Sequence, residues 1–287
     1  MHEHFSSRVI WLHDCFKRFT FSSLALSTMN SWIYLSVALV AFSSLHSAEA
    51  FLPAPRVTSH QTSGSRMFES ASETTADLLA QMEDCKKVLV RAAETKEEDA
   101  DTVVDALLDL EKLAKKANKA DPSLAETTLK NLSEGGVNWR LIFTTGTVDT
   151  QRKLGGTKIN YFPLKATQSF DSSASTPEEW VIQNGIAVGD FDLLKFEGDF
   201  DWTLTEKSGL TKLTFDFNRI MLLNGLLDIP LKKGEAASLG AKSGLGAEKN
   251  VALSKQGKRA FFNWISADDQ IATARGGGGG LALWKRL

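Results

Sequence analysis

Residues 193–204, LLKFEGDFDWTL, alternate between apolar and polar side chains along their whole length. Successive side chains of a β-strand point to opposite faces of the sheet, so the alternation predicts a long strand with one buried and one solvated face. A pairing shifted by one residue would bury the charged positions, which makes the register strongly specified. The set expected to face inward is Leu194, Phe196, Phe200, Trp202 and Leu204, with Gly198 among them, and the opposite set is Lys195, Glu197, Asp199, Asp201 and Thr203.

Residues 210–220 repeat this pattern, with Phe215 and Phe217 on the apolar parity. No long helical pattern separates the strand-like segments, which favours hairpin connections and an antiparallel sheet. About eight such strands predict a mainly β fold, an up-and-down barrel, with a two-sheet sandwich as the alternative. Residues 232–258 lack a clear period and are expected to form a loop. The expected strands are 138–145, 158–170, 180–188, 190–205, 210–220, 259–266, 270–275 and 280–286.

Five consecutive glycines, Gly276–Gly280, stand between the last two strand-like segments. A phosphate-binding loop requires Lys and Ser or Thr after its glycines and then a helix, whereas LALWKRL follows here. Because glycine adopts positive φ at little steric cost, the run predicts a hairpin turn.

A helical period precedes the strands. Residues 72–134 place apolar side chains near one face of each predicted helix. Asp121-Pro122 is a typical helix start, and Gly135-Gly136 ends the region. We therefore expect a helical lead-in over residues 72–134 and a barrel over residues 135–287, together forming one domain.

The first 66 residues differ in composition from the rest of the chain. The apolar run at residues 32–42 is too short for a membrane span, which needs about 20 residues. It is followed by Ala48-Glu49-Ala50, a pattern of small residues typical of a signal-peptidase site. This predicts a signal peptide over residues 1–50, with residues 1–28 as an upstream extension if Met29 is the initiator.

Residues 51–66 are rich in Ser and Thr, and the chain has no acidic residue between Phe51 and Arg66. That composition is typical of a plastid transit peptide. A signal peptide followed directly by a transit peptide, with Phe51 first after the cut, resembles the bipartite presequence of algae whose plastids have four membranes. The alternative is a secreted protein with a spacer.

The chain from about residue 75 onward resembles the plastid lipid-associated proteins, also called fibrillins or plastoglobulins. The motifs that carry the resemblance are GGVNWRLIFTTGT (135–147), KATQSFD (165–171), IQNGIAV (182–188) and WISADDQIATARGGGGGLALWKR (264–286). The resemblance implies a lipocalin-like barrel that is associated with thylakoids or plastid lipid globules. It also implies a protein that binds or shields isoprenoid lipids and needs no cofactor.

Composition argues against several kinds of chemistry. The net charge is −2, so no basic excess suggests nucleic acid. All five histidines precede residue 61, which removes the usual general base from the predicted domain. Cys85 lies on a helical pattern and is expected to be a buried residue rather than a nucleophile. The pairs Asp190/Asp192 and Asp199/Asp201 are expected to be solvated strand faces rather than metal ligands. We therefore expect no enzyme active site and no metal.

Aromatic side chains are the candidate ligand-binding set. On the predicted strands they either fill the barrel core or line an apolar pocket, and parity alone does not decide between these roles. The candidates are Trp139, Phe143, Phe196, Phe200, Trp202, Phe215, Phe217 and Trp264.

An apolar segment, residues 219–231, contains Asn-Gly and Pro, where turns are expected. It predicts an apolar rim that contacts a plastid membrane or lipid globule, with a buried crossing as the alternative. The candidate contact residues are Ile220, Leu222, Leu223, Leu226 and Leu227. Two other functions remain open: a lipocalin-fold enzyme acting on a carotenoid or prenylquinone, and a protein-interaction module built on the helices.

Overall fold

The computed structural model of the protein describes residues 74–146, 161–162, 164–205, 209–243 and 248–287. All of them belong to one compact unit, Phe68–Leu287. The predicted signal peptide and transit peptide lie outside the described residues.

Side-chain caps open the helices of the lead-in. The Thr74 hydroxyl accepts a hydrogen bond from the backbone N–H of Asp77, whose carboxylate accepts one from the Thr74 N–H. Asp99 caps the second helix, and Asp121 accepts from the Ser123 N–H at the start of the third. The helices are α1 (Thr75–Thr95), α2 (Ala100–Ala120) and α3 (Ser123–Ser133).

The strands form a closed antiparallel barrel. Eight of them follow each other around the ring in chain order, and the last pairs back with the first. One further strand, the sixth, pairs with the end of the fifth. The predicted up-and-down barrel is therefore confirmed. The strands are β1 (Val137–Thr144), β2 (Lys165–Asp171), β3 (Val181–Val188), β4 (Phe191–Thr205), β5 (Leu210–Leu222), β6 (Leu227–Pro230), β7 (Ala260–Ala267), β8 (Ile271–Gly276) and β9 (Leu281–Arg286).

Helices α1 and α2 pack on the outside of the barrel, where their apolar stripes meet the outward side chains of β1, β7, β8 and β9. Leu89, Leu107 and Leu110 are completely buried there. Burial of this kind contributes about 1.5–3 kcal/mol for each large aliphatic side chain. The barrel residues of this cluster are Ile142, Phe143, Ile265, Ile271, Leu281 and Leu283.

Phe143 was expected to face the barrel interior, and this expectation was wrong. The register between β1 and β9 shifts between Leu141 and Phe143, so that Ile142 and Phe143 together face the helices. Such a bulge adds one residue to a strand and reverses the parity of the residues after it. The side chain that enters the barrel beyond the bulge is therefore Thr144.

Helix α3 lies across one end of the barrel, because it contacts strands from opposite sides of the ring. The Trp139 indole N–H donates to the Leu132 carbonyl oxygen at 2.9 Å, and the Asn131 amide donates to the Ala267 carbonyl oxygen at 3.0 Å. Thr211 of β5 contacts the same helix through the Ala125 carbonyl. We call this the closed end.

Residues 232–258 were expected to form a loop, and this was wrong. They contain two short helices, α4 (Glu235–Ser243) and α5 (Glu248–Lys255). The side chains that they turn toward the barrel are mostly small, such as Ala236, Ala237 and Ser254, and the larger one is Asn250. Because small residues do not produce a strong apolar stripe, the helical period is weak in the sequence.

Candidate functional site

The barrel interior has a filled half and a hollow half. The half next to α3 is filled by an apolar cluster of completely buried residues: Trp139, Phe170, Ile182, Phe200, Leu213 and Trp264. The other half contains a cavity of about 560 Å³. Small-molecule sites usually measure roughly 300–1,000 Å³, so this cavity is large enough for a ligand.

Every strand of the ring contributes to the cavity wall, which places the cavity inside the barrel. One residue from each strand in chain order illustrates this: Leu141, Gln168, Asn184, Phe196, Phe217, Phe262, Gly276 and Trp284. Small residues line the wall between the large ones, including Ala166, Gly185, Ala260 and Ala282. The hollow arises because these small side chains leave the space opposite the aromatic rings unfilled.

A continuous row of aromatic rings forms one side of the wall. The Phe215 ring lies between those of Phe217 and Phe262, with centroid distances of 5.3 and 5.2 Å. Phe196 lies 5.4 Å from Phe217, and Trp284 contacts Phe262 edge-on at 6.1 Å. These separations are typical of stabilising aromatic pairs. The row offers a ligand a broad apolar surface.

The opposite side carries a pair of amides. Gln168 of β2 and Asn184 of β3 are register partners, and the Gln168 Nε2 donates to Asn184 Oδ1 at 2.7 Å. Both side chains line the cavity. Gln168 is buried, with 4% of its surface exposed. This wall therefore combines apolar surface with a small number of polar groups, as ligand sites commonly do.

Helices α4 and α5 cover the barrel on one side of the open end. Strand β5 pairs with β7 only as far as Phe215. Beyond that residue, α4 and α5 supply cavity-lining residues such as Ala236 and Ser254. The Gly234 N–H at the start of this segment donates to the Asp216 carboxylate at 3.0 Å. The helices thus complete a wall that the strands leave unfinished.

The glycine run forms the hairpin turn that its sequence predicts. The Gly276 N–H donates to the Gly280 carbonyl oxygen at 2.8 Å, and Gly279 has a φ of +90°. Gly276, Gly277, Gly278 and Gly280 also line the cavity. The turn is therefore part of the wall near the open end, and no helix follows it.

The structure separates the predicted ligand residues into three groups. Phe196, Phe215 and Phe217 line the cavity. Trp139, Phe200, Trp202 and Trp264 belong to the filled half, where the Trp202 ring stacks on Trp180. Phe143 faces the helices outside the barrel.

Sequence reasoning missed several of the lining residues. Trp284 follows Ala282 on the inward parity of β9, and Gln168 lies between Ala166 and Phe170 on that of β2. A glutamine on an otherwise apolar parity was the available signal for the amide pair. Phe262 has the same parity on β7 as Trp264, so the alternation that placed Trp264 inside the barrel also predicts that Phe262 faces inward.

An apolar surface lies at the open end of the barrel. The loop after β5 contacts the start of β4 through hydrogen bonds from the Leu223 N–H to the Leu193 carbonyl and from the Asp192 N–H to the Asn224 side chain. The exposed apolar side chains of these neighbouring turns are Val188, Phe191, Leu223, Leu226 and Ile229, and we call them the apolar tip.

The predicted lipid-contact residues occupy this region unequally. Leu226 and Leu223 are exposed, at 69% and 43%. Ile220 and Leu227 are half-buried. Leu222 is buried, so it is not available for contact with a surface. Within the described ranges, no helix is sufficiently long and apolar to cross a bilayer.

Cys85 was expected to be buried, and this was wrong, because it is half-buried. Its partial burial raises the pKa of the thiol, and the carboxylates of Asp109 and Asp84 raise it further, which disfavours the reactive thiolate. Asp216 is the one carboxylate among the described residues that line the cavity. Across the described ranges, no three His, Cys, Asp or Glu side chains are grouped closely enough to hold a metal ion.

No protein-family model, curated protein sequence or solved structure matches this chain.

Proposed function

We propose that this protein binds an apolar or isoprenoid molecule in the hollow half of its barrel, without catalysing a reaction. The observation that carries this proposal is the cavity of about 560 Å³ with a row of aromatic rings along one wall. Filling such a space with apolar ligand surface is favourable by about 25 cal/mol per Å² removed from water. In this proposal, the protein is a plastid lipid-associated protein of the fibrillin type.

The apolar tip supports a second part of the proposal, which is peripheral contact with a lipid surface such as a thylakoid or lipid globule. Exposed apolar groups that cluster on one surface usually mark an interaction site. The tip lies at the same end of the barrel as the cavity, because β3 ends at Val188 and β4 begins at Phe191, beyond the lining residues Ile186 and Leu194. A lipid at that surface is therefore close to the hollow half.

The two other functions have weaker support. An enzyme acting on a carotenoid or prenylquinone would need acid–base groups beside its substrate, and Asp216 is the one carboxylate among the described residues that line the cavity. A protein-interaction module built on the helices would be consistent with a completely filled barrel, and one half of this barrel is hollow.

Binding can be tested with two isoprenoid probes, farnesol and its methyl ether. We expect saturable quenching of tryptophan fluorescence, which is lost in Trp284→Phe because Trp284 lines the cavity. Calorimetry on Trp284→Phe should still detect binding.

A matched pair of variants locates the site. Ala166→Leu adds carbons inside the cavity and should weaken binding at least tenfold, whereas Ala252→Leu makes the same change at an exposed position of α5 and should not. Thermal unfolding verifies that both variants are folded. The proposal fails if neither probe binds, or if the two variants bind equally well.

A further inference from the structure

Gln168 is a polar side chain in a place where the sequence pattern and the packing are otherwise apolar. It is 4% exposed, and its inward neighbours on β2 are Ala166 and Phe170. The residue of β1 directly opposite Gln168 is Trp139, and the residue of β4 directly opposite Asn184 is Phe196. Burying a polar group in such surroundings is costly unless it is hydrogen-bonded.

The amide of Gln168 is only half satisfied. Its Nε2 donates to Asn184 Oδ1 at 2.7 Å, but its buried Oε1 has no hydrogen-bond partner among the described residues. Buried acceptors without a partner are rare in folded proteins, and each of them needs an explanation. Gln168 lines the cavity, so a bound molecule is in a position to supply the missing donor.

The amide pair lies at the inner limit of the cavity. Phe170 and Ile182, the next inward residues toward the closed end, belong to the filled half. Ala166 and Ile186, the next inward residues toward the open end, line the cavity. A group that reaches the amides has therefore entered as far as the barrel allows.

Charged ligand groups do not fit this position. The basic residues that line the cavity, Lys233, Lys258 and Arg259, lie at the start of β7 and around α4 and α5. A carboxylate or phosphate held at the amides would be buried without a partner charge, which is strongly unfavourable. A ketone or an ether fits this position less well than a hydroxyl, because neither can donate to Gln168 Oε1.

On the basis of the proposed function, we infer that Gln168 and Asn184 select ligands that carry a hydroxyl at one end of an apolar chain or ring system. The hydroxyl enters first and donates its hydrogen to Gln168 Oε1, and the apolar part lies along the row formed by Phe217, Phe215 and Phe262. A hydroxyl can also accept a hydrogen bond from an amide N–H. A hydroxyl can therefore pair with both the acceptor oxygen and a donor N–H of these two amides.

The test compares farnesol with farnesyl methyl ether, which has the same chain but no hydrogen-bond donor. The wild-type protein should bind farnesol about tenfold more tightly, as expected for one hydrogen bond to an otherwise unpaired acceptor. Gln168→Met/Asn184→Leu keeps the approximate lengths of both side chains and removes both amides, including the Asn184 Oδ1 that Gln168→Met alone would leave without a donor. The two dissociation constants of this variant should become equal. Gln183→Met is the matched control. Gln183 precedes Asn184 on β3, but its amide donates to Glu197 and does not line the cavity. This variant should still bind farnesol more tightly than the ether.

A second measurement does not depend on the folding of any variant. The side-chain amide resonance of Gln168 in wild-type protein should shift when farnesol is added and should shift much less with the ether. Equal affinity for the two compounds in wild-type protein would overturn the inference while leaving the proposed function intact. Binding of neither compound would overturn both.

Discussion

At Gly198 the backbone of β4 lies against the backbone of β5 with no room for a side chain. The register between β4 and β5 shifts between Glu197 and Gly198. A Cβ on Gly198 would lie 1.9 Å from the backbone oxygen of Asp216 and 2.7 Å from the Cα of Phe217. Backbone atoms cannot move away cheaply at such distances, so even one methyl group overfills this site.

Gly198→Ala is therefore expected to lower the free energy of unfolding by about 3 kcal/mol, measured by urea denaturation. Gly185→Ala serves as the control, because the nearest atom to its Cβ would be the Thr167 hydroxyl at 3.1 Å, and that side chain can rotate. We expect the control to cost less than about 1 kcal/mol. Equal losses in the two variants would contradict the close approach.

Parity predicts which side chains of a strand face the interior only until a bulge intervenes. It places Phe196, Phe215 and Phe217 correctly on the inner face. It fails at Phe143, because the extra residue at the β1 bulge is invisible in the alternation of WRLIF. A bulge is decided by pairing with a distant strand, in this case β9, and the local sequence does not contain that information.

At the scale of elements, an ion pair connects the helices to the barrel. Arg275 of β8 contacts the Glu111 carboxylate of α2 through Nε, at 3.0 Å to each oxygen, and through a terminal nitrogen. Arg275 also donates to the Gly279 carbonyl at 2.8 Å, which ties the glycine turn to the same contact. Burial raises the pKa of Glu111, but hydrogen bonds from Arg275 and Lys115 outweigh it, so the pKa lies below the ordinary value of 4.5.

This lowered pKa predicts a pH dependence of stability. A carboxyl whose pKa is lower in the folded state stabilises the fold fully above its unfolded pKa, and the contribution is lost as the pH falls through the folded pKa. We therefore expect Glu111→Gln to be less stable than wild type by about 2 kcal/mol at pH 7, and the difference to shrink below about pH 4.5. Urea denaturation across this pH range measures it.

Lys115→Met provides the control, since Lys115 pairs with the same carboxylate but its side chain is 41% exposed. Exposed pairs contribute little, so the expected loss is below about 1 kcal/mol. A Glu111→Gln protein whose stability runs parallel to that of wild type at every pH would argue against the pair.

Strands and lead-in helices could be predicted from the sequence, whereas α4 and α5 could not. The lead-in helices carry leucine stripes because they cover a large area of the barrel. Helices α4 and α5 present mainly Ala and Ser, with Asn250, to the cavity, and their segment contains several glycines. The helical state of this segment depends on contact with the barrel, so local propensity does not indicate it.

At the scale of the whole molecule, the apolar tip would orient the open end of the barrel toward a lipid surface. If it contacts lipid, Leu223→Ser/Leu226→Ser should reduce co-flotation with phosphatidylcholine vesicles at least threefold, because both side chains are exposed and apolar. Leu108→Ser is the control, since Leu108 is also exposed, at 44%, but lies on α2. Equal flotation of the two variants would show that the tip is not the contact surface.

The proposed localisation can be tested with the leader alone. A fluorescent protein that carries residues 29–70 should enter the plastid of an alga with four plastid membranes, and Phe51→Ala should prevent passage of the innermost membranes. The position of the fluorescence relative to chlorophyll measures this. Unchanged import of the Phe51→Ala fusion would refute the role given to that residue.

Whether the barrel is hollow could not be read from the strand pattern. Parity shows which side chains point inward, but the space that they leave depends on pairings across the ring. In the closed half, the Phe170 and Trp264 rings pack edge to face, and with Trp139 they belong to the cluster that fills the interior. In the open half, Phe217 and Trp284 share the wall with Ala166, Gly185 and Gly276.

The position of α3 across one end has a consequence for ligand length. A barrel that is open at both ends lets a long ligand pass through. A barrel that is closed at both ends excludes any ligand larger than its cavity. Among the described residues, α3 covers one end of this barrel, where the Trp139 indole N–H donates to the Leu132 carbonyl oxygen. The closed end fixes how deep the first group of a ligand can enter, but it sets no limit on the length of the chain that extends toward the open end. In a homologous series of alcohols, affinity should rise with each added carbon until the hollow is filled, by about 0.8 kcal/mol per CH₂ at most. It should then level off rather than fall, with the surplus chain lying against Leu223 and Leu226.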